Sequence, residues 1–146
     1  MAAYQVTVVR TINAPARALF DVLADPHNHS RLNGDGSVRA TVDAPRRLHA
    51  GAEFRMRMRH VIPYTITLRV IEFIEGRTIA WQHYAGLIWR WHLTELGAGD
   101  RTGVRETFDY SRTRLPSVLW HLSPVPRHNR GNMERSLERL ERLVLG

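Results

Sequence analysis

The feature that most constrains this chain is a run of short alternating segments between residues 37 and 110, followed by one long amphipathic stretch. Residues 37–43, 53–60, 64–73, 78–84, 87–96 and 104–110 each read as a strand. Three of the breaks between them are brief, at Pro63, Glu75-Gly76 and Ala85-Gly86, and two are loops, 44–51 and 97–103. Breaks of two or so residues can join antiparallel strands, whereas parallel strands need a crossover of a dozen or more. The middle of the chain is therefore predicted to be an antiparallel meander. In residues 53–60 the alternation is clean, with Phe54, Met56 and Met58 on one phase and Arg55, Arg57 and Arg59 on the other.

The C-terminal stretch 130–145 places Met133, Leu137, Leu140 and Val144 on one helical stripe, with Glu and Arg opposite. Before it, the apolar run 115–122 is cut off by Ser123-Pro124-Val125-Pro126 and reads as a separate flap hinged at the two prolines. At the other end, residues 4–12 alternate as a seventh strand. Ala14-Pro15 opens a short helix with Leu19, Phe20 and Leu23 on its apolar face, and Asp25-Pro26 starts another. An apolar sheet face needs a covering layer. Only one helix here is long enough to supply it, and a sheet curved around one helix leaves space that the helix does not fill. The expected fold is α+β: a curved seven-stranded antiparallel sheet around a long C-terminal helix, with two short helices after the first strand. One domain over residues 1–146 accommodates all of it.

Residues 11–15 (Thr-Ile-Asn-Ala-Pro) before 19–25 (Leu-Phe-Asp-Val-Leu-Ala-Asp), the segment 51–59, Val70-Ile71-Glu72-Phe73 and Ile79-Ala80-Trp81 carry a resemblance. So do Trp89-Arg90-Trp91, Val104-Arg105-Glu106-Thr107 and residues 133–140. In this order and spacing they resemble the START/Bet v 1-like (SRPBCC) helix-grip superfamily, and within it the bacterial polyketide cyclase/dehydrase group. The resemblance implies a helix-grip fold and a cavity for a hydrophobic molecule such as a lipid, sterol or polyketide. It implies catalysis only for a minority of members, because function lives in the site and not in the fold.

The inner face is where a ligand would lie. Phe54, Met56, Met58, Tyr64, Ile66, Leu68, Trp81, Trp89, Trp91, Phe108 and Tyr110 fall on the inward phase, and Leu119, Trp120 and Met133 are added from the helical side. An apolar, aromatic lining with a few polar groups is the usual make-up of a small-molecule pocket; the alternative is a dry, filled core. His60, His83 and Glu106 share the inward phase. Glu106 with His83 is the candidate acid–base couple for a cyclase or dehydratase, since a buried carboxyl has a raised pKa. Arg10 is in phase with Val8 and Ile12. The resemblance implies that the first and last strands are neighbours, and with that placement Arg10 is expected to pair with Glu106.

With 21 arginines, no lysine and a net charge of +7, a nucleic-acid-binding role through Arg55, Arg57 and Arg59 is a further reading. A solvated arginine row serves solubility equally well, and no stacking platform accompanies it. The chain has no cysteine, and His27 and His29 are read as solvated loop histidines, so no metal is expected. Neither Gly-x-Gly-x-x-Gly nor a P-loop occurs, and no cofactor is expected. No signal-like segment or membrane-length apolar run is present, which gives a cytoplasmic location as the expectation, and a monomer or homodimer is expected.

Overall fold

A computed structural model of the protein describes residues 4–146. Seven strands form one antiparallel sheet: β1 (Gln5–Ile12), β2 (Val38–Asp43), β3 (Glu53–Arg59), β4 (Pro63–Ile74), β5 (Thr78–His83), β6 (Ile88–Leu96) and β7 (Arg101–Asp109). Their spatial order is β1-β7-β6-β5-β4-β3-β2, so β2 to β7 are a meander and β1 adds to its last strand. Between β1 and β2 lie α1 (Ala16–Ala24), a 3-10 turn (Pro26–Asn28) and the single turn α2 (His29–Leu32). After β7 come α3 (Ser117–Leu122) and the long α4 (Val125–Leu145). This is the helix-grip arrangement.

The local reasons are those of the side chains. Asp25 caps the 3-10 turn by accepting the His27 N–H at 3.0 Å, with Pro26 in its first turn. In β3 the burial alternates without a fault: Phe54, Met56 and Met58 are buried, while Arg55, Arg57 and Arg59 face solvent. The sheet bends at register shifts in β2, between Val38 and Ala40 and between Thr41 and Asp43, and in β4 between Val70 and Glu72. Extra residues of this kind kink a strand and increase its twist. On the convex side Arg90 of β6 makes a bidentate pair with Glu72 of β4, at 2.9 and 2.7 Å. Both residues pair in register with Ala80 of β5 between them, whose methyl group leaves room for the contact.

Three boundaries differ from the sequence reading. β7 starts at Arg101 rather than 104, because residues 101–103 pair with Leu96, Glu95 and Thr94, and the Thr102 hydroxyl donates to Ala14 O at 2.7 Å. Pro63 begins β4 instead of forming the turn. The helix expected from 130 starts at Val125, with Pro126 in its first turn, where no backbone N–H partner is lost.

The core lies between the concave sheet face, α1 and α4. Ile12, Leu19, Phe20, Leu23, Phe54, Phe108, Leu137 and Leu140 are among its fully buried side chains. Gly86 holds the β5–β6 turn at φ +95°, and an added Cβ would collide with the Arg112 carbonyl oxygen. Gly86→Ala is expected to destabilise the protein by about 1–3 kcal/mol through that strain. Thermal unfolding of the variant measures it.

Candidate functional site

Between the concave face, α2 and α4 lies a cavity of about 510 Å³. Alternation places its wall. In-register partners on neighbouring antiparallel strands point to the same side of a sheet, so Trp81, Trp89 and Phe108 form one inward row, and Ile79, Trp91 and Glu106 form the next. The β3–β4 pair adds Met56 opposite Ile66 and Met58 opposite Tyr64, with Leu68 alongside. Trp120 of α3 completes the set, so all four tryptophans of the chain stand on the wall, and they line the space rather than fill it.

Of the residues expected there, Met56, Met58, Tyr64, Ile66, Leu68, Trp81, Trp89, Trp91, Trp120, Glu106 and His83 line the cavity. Phe54, Phe108, Tyr110 and Met133 are buried in the core behind the wall instead. Leu119 is 55% exposed and turned to solvent, because α3 presents Trp120 and not Leu119 to the cavity. Arg10 does not meet Glu106. Its register partner is Val104, whereas Glu106 sits opposite Val8; α4 crosses this end of β1, and Arg10 donates to Glu141 at 2.8 Å.

The sequence reading missed the contribution of α4 and α2. Asn129, Asn132 and Ser136 line the cavity from α4. Their spacing of three and four, directly beside the apolar stripe, is the signal that marks a polar edge on a buried helix face. His29 is not a solvated loop residue. It is 5% exposed, stacks at 4.5 Å centroid separation on Trp81, and its Nε2 bonds the Leu23 carbonyl at 3.1 Å. Burial pulls its pKa down to about 4, so the ring is neutral at physiological pH.

The electrostatics of the wall follow from the same burial. Glu106 is 3% exposed, and removal from water raises its pKa well above the ordinary 4.5. Its Oε1 has no protein hydrogen-bond partner. Burial also lowers His83, whose Nδ1 accepts the Ala85 N–H at 3.1 Å. Among the described residues, five buried side-chain polar atoms lack a protein partner. Four of them, on Trp91, Trp120, Asn132 and Glu106, belong to this wall. No arginine lines the cavity, although the chain has 21 basic residues. Glu106 and His83 do not form a couple. His83 is four residues along β5 from Ile79, which lies in register with Trp91 and through it with Glu106. That is ~13 Å along the strands and ~10 Å across them.

Among the described residues, no group of three or more His, Asp or Glu side chains could hold a metal ion. Arg55, Arg57 and Arg59 all lie on the convex face, away from the cavity.

Comparison with known proteins places this geometry. The uncharacterized protein Rv0088 of Mycobacterium tuberculosis is 39% identical over 100 residues, a match covering 68% of this chain and 44% of that protein. The chain thus spans less than half the length of the curated relatives it matches. Protein Ms6760 from Mycobacterium smegmatis has a similar structure, with a TM-score of 0.72 and 15% identity, over 96% of this chain and 90% of that one. The Zhui aromatase/cyclase from Streptomyces sp. R1128 is similar at a TM-score of 0.67 and 19% identity, over 96% and 94% of the two chains. At such identities the likeness is one of fold. The model of one family, described as polyketide cyclase/dehydrase and lipid transport, matches residues 3–145. With that match running over the whole gripped helix and sheet, the chain belongs to the polyketide cyclase/dehydrase and lipid transport family.

Proposed function

We propose that the protein binds one small, uncharged, largely apolar molecule, lipid- or polyketide-like, in the cavity between sheet and α4. The observation that carries this reading is the gathering of four partnerless polar groups on one apolar wall. A buried polar group without a partner costs about 1–3 kcal/mol. A ligand carrying carbonyl or hydroxyl oxygens relieves that cost: the indole N–H groups of Trp91 and Trp120 donate to it, Asn132 Oδ1 accepts, and the protonated Glu106 can do either. An anion is disfavoured, since the wall offers no arginine and the buried histidines are neutral.

A matched pair of probes tests this. Hydroxyanthraquinone is expected to bind by calorimetry at pH 7, and anthraquinone carboxylate to bind at least about 100-fold more weakly, because an unpaired charge resists burial. Equal affinity would sink the reading. Trp91→Phe is expected to weaken the neutral probe by about tenfold, the worth of one hydrogen bond, with thermal unfolding of the ligand-free variant measured beside it because the side chain is buried.

Cyclisation or dehydration of a poly-β-ketone is the second reading, and the neutral carboxyl of Glu106 is what favours it. A protonated acid in an apolar cavity is the group that loss of water requires. Glu106 would act there without His83, which lies out of reach. Undiminished turnover of such a substrate by Glu106→Gln would rule this chemistry out.

A further inference from the structure

Helix α3 and its approach carry apolar side chains on the side opposite to the one a core-packed helix uses. Within α3, Val118 and Leu119 stand one turn before Leu122 on one face, and Leu115 lies in the approach just before the helix. All four are exposed, Leu122 by 77%. Trp120, between them in sequence, turns to the cavity. Nearby chain ends show the same character. Val61 and Ile62, at the tip of the β3–β4 turn, are 90% and 67% exposed, and Tyr84 of the β5–β6 turn is 65% exposed. The approach to α3 and the β5–β6 turn form one edge, tied by the Arg114 N–H donating to Ala85 O at 2.9 Å.

These tips surround the opening of the cavity. His60, Tyr64, Tyr84 and His128 are lining residues that are also exposed, so they mark the mouth. Scattered surface apolar residues are ordinary, but a concentration around one opening points to a contact. The charge around it is one-sided. The segment 110–133, which carries α3 and the start of α4, contains Arg112, Arg114, Arg127 and Arg130 and no Asp or Glu. The one carboxylate on the remaining side of the mouth, Asp35, is engaged by His128 at 2.8 Å.

We propose that this rim docks on the surface of a bilayer containing anionic lipid. The apolar face of α3 and the Val61–Ile62 turn enter the headgroup region, and Arg114 and Arg127 meet lipid phosphates. A short helix with an outward apolar face and flanking arginines is the form that lies in a membrane interface. Among the described residues no helix is long and apolar enough to cross a membrane, so the contact is interfacial. Docking in this pose sets the mouth against the apolar phase, and a sparingly soluble molecule can pass without crossing water. The inference stands on the rim alone and holds whatever the cavity binds.

Co-sedimentation with vesicles tests it, using phosphatidylcholine alone and phosphatidylcholine mixed equally with phosphatidylglycerol. The protein is expected to pellet with the mixed vesicles and to be released by high salt. L119D/L122D is expected to reduce partitioning at least tenfold, and R114A by about fivefold, the worth of one arginine at an anionic surface. Both sites are exposed, so unchanged thermal unfolding and unchanged hydroxyanthraquinone binding would show that fold and cavity survive. No pelleting with mixed vesicles would overturn the proposal, as would undiminished pelleting of L119D/L122D. A dimer that L119D/L122D dissolves, without vesicle binding, would overturn it in favour of self-association.

Discussion

Glu106→Gln should make the protein more stable at pH 8 and leave it almost unchanged at pH 4. Burial keeps the folded-state carboxyl protonated far above the ordinary value of 4.5. Below that value folded and unfolded chains both hold the proton, and the wild-type residue costs nothing extra. Above it the unfolded chain releases its proton while the folded one does not. Wild-type stability then falls at about 1.4 kcal/mol per pH unit until the folded carboxyl itself ionises. Glutamine cannot ionise, so the difference between variant and wild type should open with that slope. Urea unfolding of both proteins across pH 4–8 measures it, and other carboxylates cancel in the comparison. Parallel curves would mean that the Glu106 carboxyl titrates alike in the folded and unfolded chains, and the uncharged-ligand reading would fall with it. A protein that keeps such a residue tolerates a stability cost that glutamine would avoid, which is the usual mark of a site and not of a core.

Phe20→Ala should cost about 3–5 kcal/mol, a large share of the 5–15 kcal/mol that holds a typical domain together. Phe20 is fully buried in α1, packs edge-on against Phe73 at 5.5 Å, and has the Arg47 guanidinium over its ring at 5.7 Å. Truncation leaves a void ringed by atoms that have no other partner. At about 2–4 °C per kcal/mol for a chain of this size, the melting temperature should drop by roughly 6–20 °C. Trp89→Ala removes a larger side chain, but one that borders the cavity and is only half-buried. It should cost less than Phe20→Ala despite its size. The reverse order would mean that the cavity is closed up in solution.

The contrast between these two residues also shows how far the sequence could be read. Wherever a strand has one face in the core and one in water, as in β3 with its Met and Arg phases, period two fixes both the element and the direction of every side chain. Where the stabilising partner is distant, local pattern is silent. Arg101-Thr102-Gly103 looks like loop, and becomes strand because Leu96 and Ala14 supply its hydrogen-bond partners. Two prolines close together looked like a hinge, yet one of them sits in the first turn of α4, the one place in a helix that loses nothing by it.

The strand half of the site was legible for the same reason as the strands themselves. The helical half was not, since a stripe of Met133, Leu137 and Leu140 drew attention away from Asn129, Asn132 and Ser136 beside it. His29 carried no local mark of burial. Its place is set by Phe54 and Trp81, far along the chain. Leu119 faces solvent although its apolar run reads as inward, since nothing local distinguishes a helix that turns its apolar side out.

Trp81, Trp89, Trp91 and Trp120 stand on one wall, and the chain has no tryptophan anywhere else. The whole of its indole emission therefore arises within contact distance of whatever occupies the cavity. Filling that space with a carbon-rich molecule should shift or quench nearly all of the signal at once, with no silent background from the rest of the fold. The unmodified protein is its own fluorescent indicator of occupancy, and a library of natural extracts could be screened against it without a label.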